Sequence, residues 1–305
     1  MSGKPRFCII YNPKAGRLDT HHRWQRIQKL LGQDAVFHPT RYAGHGTELA
    51  QQAAESGYSI VVAAGGDGTV HEVMNGIVCS QRSEVTFGVL PLGSGNDYAR
   101  NLKIPLEVNG MVEILKANQS RPVDIGEVMI DGKQQRYFCN TLGIGLGGAI
   151  TSEAKKIRWL HGVPLYGWAS LKTIWKHYEQ VEVHITEGNH QWDIFMLYMV
   201  LAIGKAEGGG FLVAPYAELD DGWFDMVYVT QLSRLGAILV LPRLIWKSTR
   251  QGCAAIQERR TTGITLHSNK PVPVHADGEM LAYPERGATE CIVKLLPGRL
   301  KVIQG

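Results

Sequence analysis

Gly65-Gly66-Asp67-Gly68-Thr69 is the stretch whose residue types speak most directly of chemistry. The apolar run Ile60-Val61-Val62-Ala63-Ala64 precedes it, and Val70, Val73, Met74 and Ile77 follow at helical spacing. A buried strand that enters a glycine turn and then a helix lets backbone approach a ligand closely. The new helix aims amide donors and its positive dipole end at the same place, which favours a phosphate. An ordinary turn would explain the glycines but not the acid among them. Beside phosphates Asp67 needs a cation between, which points to Mg²⁺ held directly or through water. Thr69 and Glu72 have capping-box spacing and predict a locally fixed helix start.

A second stretch repeats the arrangement. Val85 to Leu90 reads as a strand, followed by Pro91-Leu92-Gly93-Ser94-Gly95-Asn96-Asp97. Ser94 and Asp97 again have capping-box spacing. Two such loops in one sheet can face each other across a crevice at the carboxyl ends of parallel strands. A third loop, Asn12-Pro13-Lys14-Ala15-Gly16, also follows a strand. Its Asn-Pro and Ala-Gly are routine turn chemistry, yet Lys14 is well placed to meet a phosphate.

The elements that must carry these loops divide the chain in two. Residues 1–125 alternate strand and helix signals: strands at Phe7 to Tyr11, from Val36 to near Thr40, and Ser59 to Ala64, with helices between. This predicts an α/β domain, a parallel sheet with flanking helices. Residues 126–305 predict a β-rich, antiparallel sandwich, with the last strand free to return to the first domain. Val123 to Ile130 and Gln135 to Leu142 read as strands joined by a type I′ turn at Asp131-Gly132. Val181 to Thr186, Asp193 to Ile203, Phe224 to Val229, Thr261 to His267 and Cys291 to Leu296 continue the pattern. Residues 158–178 and 233–251 read as helices. Trp159, Trp168 and Trp175, beside basic residues, suit either a membrane interface or a helix covering the β half. Ile245 to Arg250 is a second candidate for membrane contact.

Composition narrows the class. The 305 residues carry 32 Lys plus Arg against 28 Asp plus Glu, a net charge of +4. That excess suits an anionic ligand or membrane surface and is too small, without a basic stripe, to argue for nucleic acid. Five cysteines with no C-x-x-C pair predict a reduced cytoplasmic protein with buried thiols. No apolar run reaches the ~20 residues of a membrane-spanning helix. Gly143, Gly145 and Gly148 match G-x-G-x-x-G, but no ribose-binding acid stands ~20 residues on. The expectation there is a bend leading to a lipid site or interdomain cleft. Histidine and cysteine spacing offers no zinc site.

Taken together, Asn12-Pro13-x-Ala15-Gly16, GGDGT at 65–69 continued by Val70-His71-Glu72, GSGND at 93–97, Asp220-Asp221-Gly222 and Asp277-Gly278-Glu279 resemble the diacylglycerol kinase catalytic-domain family. The likeness is closest to its soluble bacterial lipid kinase branch and covers essentially the whole chain. The resemblance implies a fold shared with NAD kinases and transfer of the γ-phosphate of ATP to a lipid hydroxyl. Diacylglycerol, converted to phosphatidic acid, is the leading acceptor; sphingoid bases, phosphatidylglycerol and acylglycerols stay open. It implies ATP contacts at Asn12, Thr40, Gly65, Gly66, Asp67, Gly68, Thr69, Val70, His71, Glu72 and Ser94. Asp67 is implied as holder of the catalytic Mg²⁺, and Glu279 as acceptor of the lipid's proton. A structural Mg²⁺ is implied at Asp221 with carbonyls of Glu218 and Trp223, and Asp124 is linked to that network. Such an enzyme would be cytoplasmic and would meet its lipid at the membrane surface; a homo-oligomer is compatible with it. Two rivals stand beside it. A soluble-metabolite kinase of NAD kinase type shares GGDGT, but GSGND and the late DGE argue against it. A non-catalytic, nucleotide-responsive membrane-binding protein is opposed by the intact set of acids.

Overall fold

The computed structural model describes residues 6–16, 20–80, 82, 84–157, 159–160, 162–230, 232–245 and 254–305. Ile245 to Arg250, named above as a membrane candidate, lies outside them apart from the backbone of Ile245. The chain forms two compact units, residues 1–124 with 298–305, and residues 125–297.

In the first unit β1 (Phe7–Tyr11), β2 (Ala35–Pro39), β3 (Ile60–Gly65) and β4 (Thr86–Pro91) form a parallel sheet in the order β2-β1-β3-β4. Helices α1 (Thr20–Leu31), α2 (His45–Glu55), α3 (Asp67–Cys79), α4 (Asp97–Asn101) and α5 (Val108–Ala117) connect and cover it. Every residue of β3 and β4 is buried. Their unbroken apolar character follows from being covered on both faces, as parallel strands are.

The second unit is antiparallel. Strand β5 (Ser120–Ile130) enters it, followed by β6 (Gln134–Phe138), β7 (Thr141–Gly145), α6 (Leu146–Ala154), α7 (Gly162–His177), β8 (Val181–Glu187) and β9 (His190–Ala202). Then come β10 (Phe224–Thr230), α8 (Arg234–Ile245), β11 (Ile256–Thr261), β12 (Gly263–Val272), β13 (Val274–Ala276), β14 (Glu279–Ala282) and β15 (Ala288–Ile303). The path β14-β13-β7-β9-β8-β12-β15 is joined by β10, which pairs with β9 and β11. The end of β15 runs parallel to β4, pairing Lys301 with Thr86 and Val302 with Phe87. The α/β plus antiparallel β-rich architecture is the one the sequence predicts.

Local departures have physical causes. Asp131 and Gly132 take φ of 48° and 63°, and Lys133 N–H donates to the Ile130 carbonyl at 3.0 Å, the expected type I′ turn. The strand expected over Gln135 to Leu142 breaks at Cys139-Asn140. There the backbone amides of Cys139, Asn140 and Thr141 turn to the Asp277 carboxylate at 3.1, 2.9 and 3.1 Å. The strand expected over Thr261 to His267 is two, β11 and β12, with Gly263 N–H donating to Thr261 Oγ1 at 3.1 Å across the corner. The bend expected after Gly143 is helix α6. Cys8, Cys139 and Cys291 are buried, burial pushing the Cys291 thiol up to about 12, whereas Cys79 is exposed. Cys253 lies outside the described residues. No described helix is long and apolar enough to cross a membrane.

Candidate active site

The predicted nucleotide residues gather at the carboxyl ends of β1 to β4, where an open α/β sheet places its ligands. Asn12 N–H donates to the Ala64 carbonyl at 3.1 Å, and Thr40 N–H to the Tyr11 carbonyl at 2.8 Å. The Asn12 loop thus lies beside the end of β3, and Thr40 beside the end of β1. Asn12, Lys14, Gly16, Thr20, Trp24 and Leu92 border a cavity of about 500 Å³ with mixed polar and apolar walls. Thr69, Val70 and His71 are buried, while Ser94 is exposed.

The two glycine loops touch. The Gly65 carbonyl accepts from Leu92 N–H at 2.9 Å and Gly93 N–H at 3.1 Å. A Cβ at Gly93 would lie 2.3 Å from Gly66 Cα. Gly93 must lack a side chain for that approach, whereas a Cβ at Gly66 would be tight, 3.2 Å from Gly93 Cα. Asp67 locks it: Oδ2 accepts from Asn96 N–H and Oδ1 from Asp97 N–H, both at 2.8 Å. Gly95 leaves the space for this carboxylate, since a Cβ there would be 2.5 Å from Oδ2. Asn96 takes φ 55° and closes its side chain on Gly93 through Oδ1 at 3.0 Å and Nδ2 at 2.8 Å.

Both expected capping boxes are therefore replaced by longer-range caps. Helix α3 starts at Asp67 after Gly66, with no side-chain cap of its own. Glu72 instead accepts from Gly44 N–H at 2.7 Å and Gly46 N–H at 2.9 Å, capping α2. Helix α4 starts at Asp97, and Asp67 rather than Ser94 serves its first amides. One acid from α3 fixes the second loop and another fixes α2, so the backbone around the turn is set by charge-assisted hydrogen bonds. Gly93→Ala tests this contact. Driving a methyl into the Gly66 backbone should cost ~1–3 kcal/mol as overpacking, and should weaken ATP binding about tenfold or more by titration calorimetry. Wild-type affinity would mean that the contact is not needed.

In the second unit the Asp277-Gly278-Glu279 turn divides its labour. Asp277 is buried at φ 51° and holds the three amides at the start of β7. Glu279 is half-exposed and pairs through Oε2 with Lys155 Nζ at 2.7 Å. Asp221 accepts from Trp223 N–H at 3.1 Å and pairs with Arg260 Nη2 at 3.3 Å. Arg260 Nε also stands 3.8 Å from Asp225, whose carboxyl burial pushes up. Glu218 is exposed nearby, and its charge adds to that upward push. Asp124, in the first unit, is buried and accepts from Gly298 N–H at 2.8 Å.

These donors fit some metal roles better than others. Among the described residues no group of three His, Cys, Asp or Glu side chains is placed to hold a metal. At Asp221 the cation already present is Arg260. Asp67 takes amides on both oxygens, Asn96 N–H on Oδ2 and, on Oδ1, Asp97 N–H together with Tyr98 N–H at 3.5 Å. A lone acid of that kind suits Mg²⁺ that arrives on nucleotide phosphates, since Mg²⁺ is commonly held by one or two carboxylates plus phosphate oxygens. Sequence reasoning missed Arg260, the Lys155 partner of Glu279 and the amides bound to Asp67 and Asp277, since no local signal marks partners so far along the chain.

Comparison with known proteins places this geometry. Residues 6–128 match the model of the diacylglycerol kinase catalytic domain. Residues 140–304 match that of the YegS C-terminal NAD kinase beta sandwich-like domain. A protein named diacylglycerol kinase from Bacillus subtilis (strain 168) is 28% identical over 281 residues, covering 89% of this chain and 88% of its own. One of the same name from Staphylococcus epidermidis is 31% identical over 250 residues, 78% of this chain and 75% of its own. A "Probable lipid kinase YegS-like" from Chromohalobacter salexigens is 28% identical over 295 residues, 96% and 91%. A crystal structure titled as a diacylglycerol kinase of Bacillus anthracis str. Sterne superposes with a TM-score of 0.75 over 99% of this chain and 97% of that one. At 22% identity it speaks for the fold.

Proposed function

The chain belongs to the diacylglycerol kinase family, and from that membership we propose that it transfers the γ-phosphate of ATP to the hydroxyl of a lipid. The observation that carries the proposal is the contact of two glycine loops at Gly66 and Gly93, locked by Asp67. The relatives' names make diacylglycerol, converted to phosphatidic acid, the first acceptor to assay.

Phosphoryl transfer needs position and charge neutralisation more than covalent help. In this reading the phosphates lie on the Gly65 to Thr69 turn, at the amide-rich, positive end of α3. Asn12, Thr40 and Ser94 supply polar groups from the neighbouring loops, and Val70, His71 and Glu72 continue the turn. Asp67 holds the two loops in register and places its negative charge beside the cation that accompanies the nucleotide. Mg²⁺ brought in with ATP would neutralise the phosphates. Glu279 takes the proton of the lipid hydroxyl as that oxygen attacks phosphorus, and Lys155 steadies the carboxylate. We assign Asp221, Glu218, Trp223 and Asp124 no step.

The lipid is met at a membrane surface. Trp168 and Trp175 on α7 are exposed, as is Trp159 before it. Leu171 on α7 and Leu235 and Leu239 on α8 are exposed too. Trp168, Leu171 and Trp175 share one helix face, with Lys172 and Lys176 beside them. Aromatic and basic residues together are the chemistry of an anionic lipid interface. The opposite face of α7 buries Ala169, Thr173 and Ile174, so the helix also covers the β-rich unit. Replacing Trp168 and Trp175 by Ala should weaken sedimentation with anionic vesicles about tenfold or more, given ~1.5–3 kcal/mol per buried aromatic. Undiminished vesicle binding would remove this face from the account.

Presenting lipid micelles and NAD in parallel, with radiolabelled ATP, tests the function itself. Label in the lipid supports the proposal; label in NAD alone would replace it by a metabolite kinase.

A further inference from the structure

The second unit contains an apolar cavity of about 80 Å³ that the nucleotide chemistry does not use. Leu146 and Ile150 of α6, Ile174 of α7, Leu197 of β9 and Phe211 form much of its wall. One carboxylate stands in that wall, Glu207. It is held rigidly. Its main chain pairs with Phe211 in both directions, at 2.9 and 2.8 Å, around Gly208, Gly209 and Gly210, all with positive φ. Tyr166 packs against Gly208, where a Cβ would fall 2.9 Å from the ring.

The surroundings of Glu207 are unusual for an acid. Oε1 accepts from Tyr198 OH at 3.0 Å, and Oε2 from Thr141 Oγ1 at 2.9 Å. Among the described residues the basic group within 4.0 Å is His275, its Nε2 at 4.0 Å from Oε2. His275 is 2% exposed, and neither ring nitrogen has a hydrogen-bond partner among the described residues. Burial lowers the pKa of this imidazole, against the opposing pull of Glu207 and Asp277. A carboxylate facing an apolar cavity with only hydroxyl partners has lone pairs left for a ligand's donor.

The position of Glu207 ties the cavity to the reacting end of the same unit. Thr141, which donates to Glu207, is also bound through its amide to Asp277 at 3.1 Å, two residues before Glu279. A head group at Glu207 is therefore next to the turn that carries the proposed base. The cavity volume holds roughly six water-sized groups, at ~10–15 Å³ each. That is room for the end of a hydrocarbon chain. Beside its reacting hydroxyl diacylglycerol presents ester oxygens, which cannot donate to a carboxylate.

We propose that this cavity receives one chain of the acceptor lipid and that Glu207 accepts a hydrogen bond from its head. The acceptor is then a lipid alcohol with a second donor, hydroxyl or ammonium, beside the reacting hydroxyl. The inference rests on the lipid kinase reading and narrows its substrate.

The test uses the purified full chain with a long-chain amino alcohol, a monoacylglycerol and a diacylglycerol of matched chain length. Phosphate transfer and, without ATP, direct binding by calorimetry are both measured. The expected result is a kcat/KM at least tenfold higher for one of the single-chain lipids than for diacylglycerol. The preferred one identifies the donor as ammonium or hydroxyl. Glu207→Gln should lower that value at least tenfold with KM for ATP unchanged, and Glu207→Asp should recover part of it. Ile150→Trp, which fills the cavity, should penalise long chains and spare a short-chain analogue. Preference for diacylglycerol, or equal loss on all three lipids in Glu207→Gln, would overturn the inference and leave the kinase reading standing. Glu207-dependent binding of a single-chain lipid with no transfer to any lipid would overturn the kinase reading and reduce the inference to a lipid-binding cavity. Absence of both binding and transfer would defeat both.

Discussion

Asp67→Ala is expected to abolish lipid phosphorylation, by at least ~10³-fold in kcat, in a protein that still folds. The substitution removes the acceptor for Asn96 and Asp97 N–H, both at 2.8 Å. Loss of a helix cap costs ~1–2 kcal/mol, too little to unfold a two-domain chain. The catalytic effect is larger because the carboxylate acts twice. It fixes the loop that faces Gly66, and in the proposed mechanism it also stands where phosphate charge is balanced by a cation. Misplacing donors and charge around a transferring phosphoryl group costs ~10²–10³-fold for each lost contact. Asp67→Asn separates the parts, since the amide keeps one acceptor oxygen but no charge. Its NH₂ faces one of the two N–H donors, so the midpoint of urea unfolding should fall no further than in Asp67→Ala while most activity is still lost. Near-normal turnover in Asp67→Asn, with a destabilised Asp67→Ala, would reduce Asp67 to a cap.

Glu279→Gln is expected to lower kcat by ~10²–10⁴-fold, the usual loss for a general base. Binding of ATP should be unchanged, because Glu279 belongs to the β-rich unit and the proposed nucleotide residues to the other. The structural cost is small. The ion pair with Lys155 joins two half-exposed side chains, 44% and 42% accessible, and such pairs contribute ~0–1 kcal/mol. Its neighbour Asp277 behaves oppositely. It is buried under three amides, and its replacement should damage folding before chemistry. Pre-steady-state transfer separates the two, and unchanged turnover in Glu279→Gln would remove it as the base.

The features legible in the sequence are those with local causes. The run Ile60 to Ala64 is apolar because both faces of β3 are covered, and the glycines that end it mark the loop directly. The Asp131-Gly132 turn is likewise a two-residue signal. What the sequence hid is the assignment of acids to distant amides. Asp67 looks like an isolated acid in a turn, yet its partners are 29 and 30 residues on. Glu72 has the spacing of a local cap and serves α2 instead. Asp277 reaches back 136 to 138 residues and breaks a strand that would otherwise run through Cys139. Helix α6 was hidden by Gly147 and Gly148, poor helix formers that lie against Tyr198 and Pro273. Glu207 carried no signal, because an acid before three glycines reads as a loop until the cavity wall is seen.

The most direct measurement of the central claim follows the label of γ-radiolabelled ATP into a lipid extract. Wild-type protein with mixed lipid micelles should place it in the organic phase as a lipid phosphate monoester, and Asp67→Ala should not. Label confined to the aqueous phase in wild type, or equal lipid labelling by Asp67→Ala, would contradict the account.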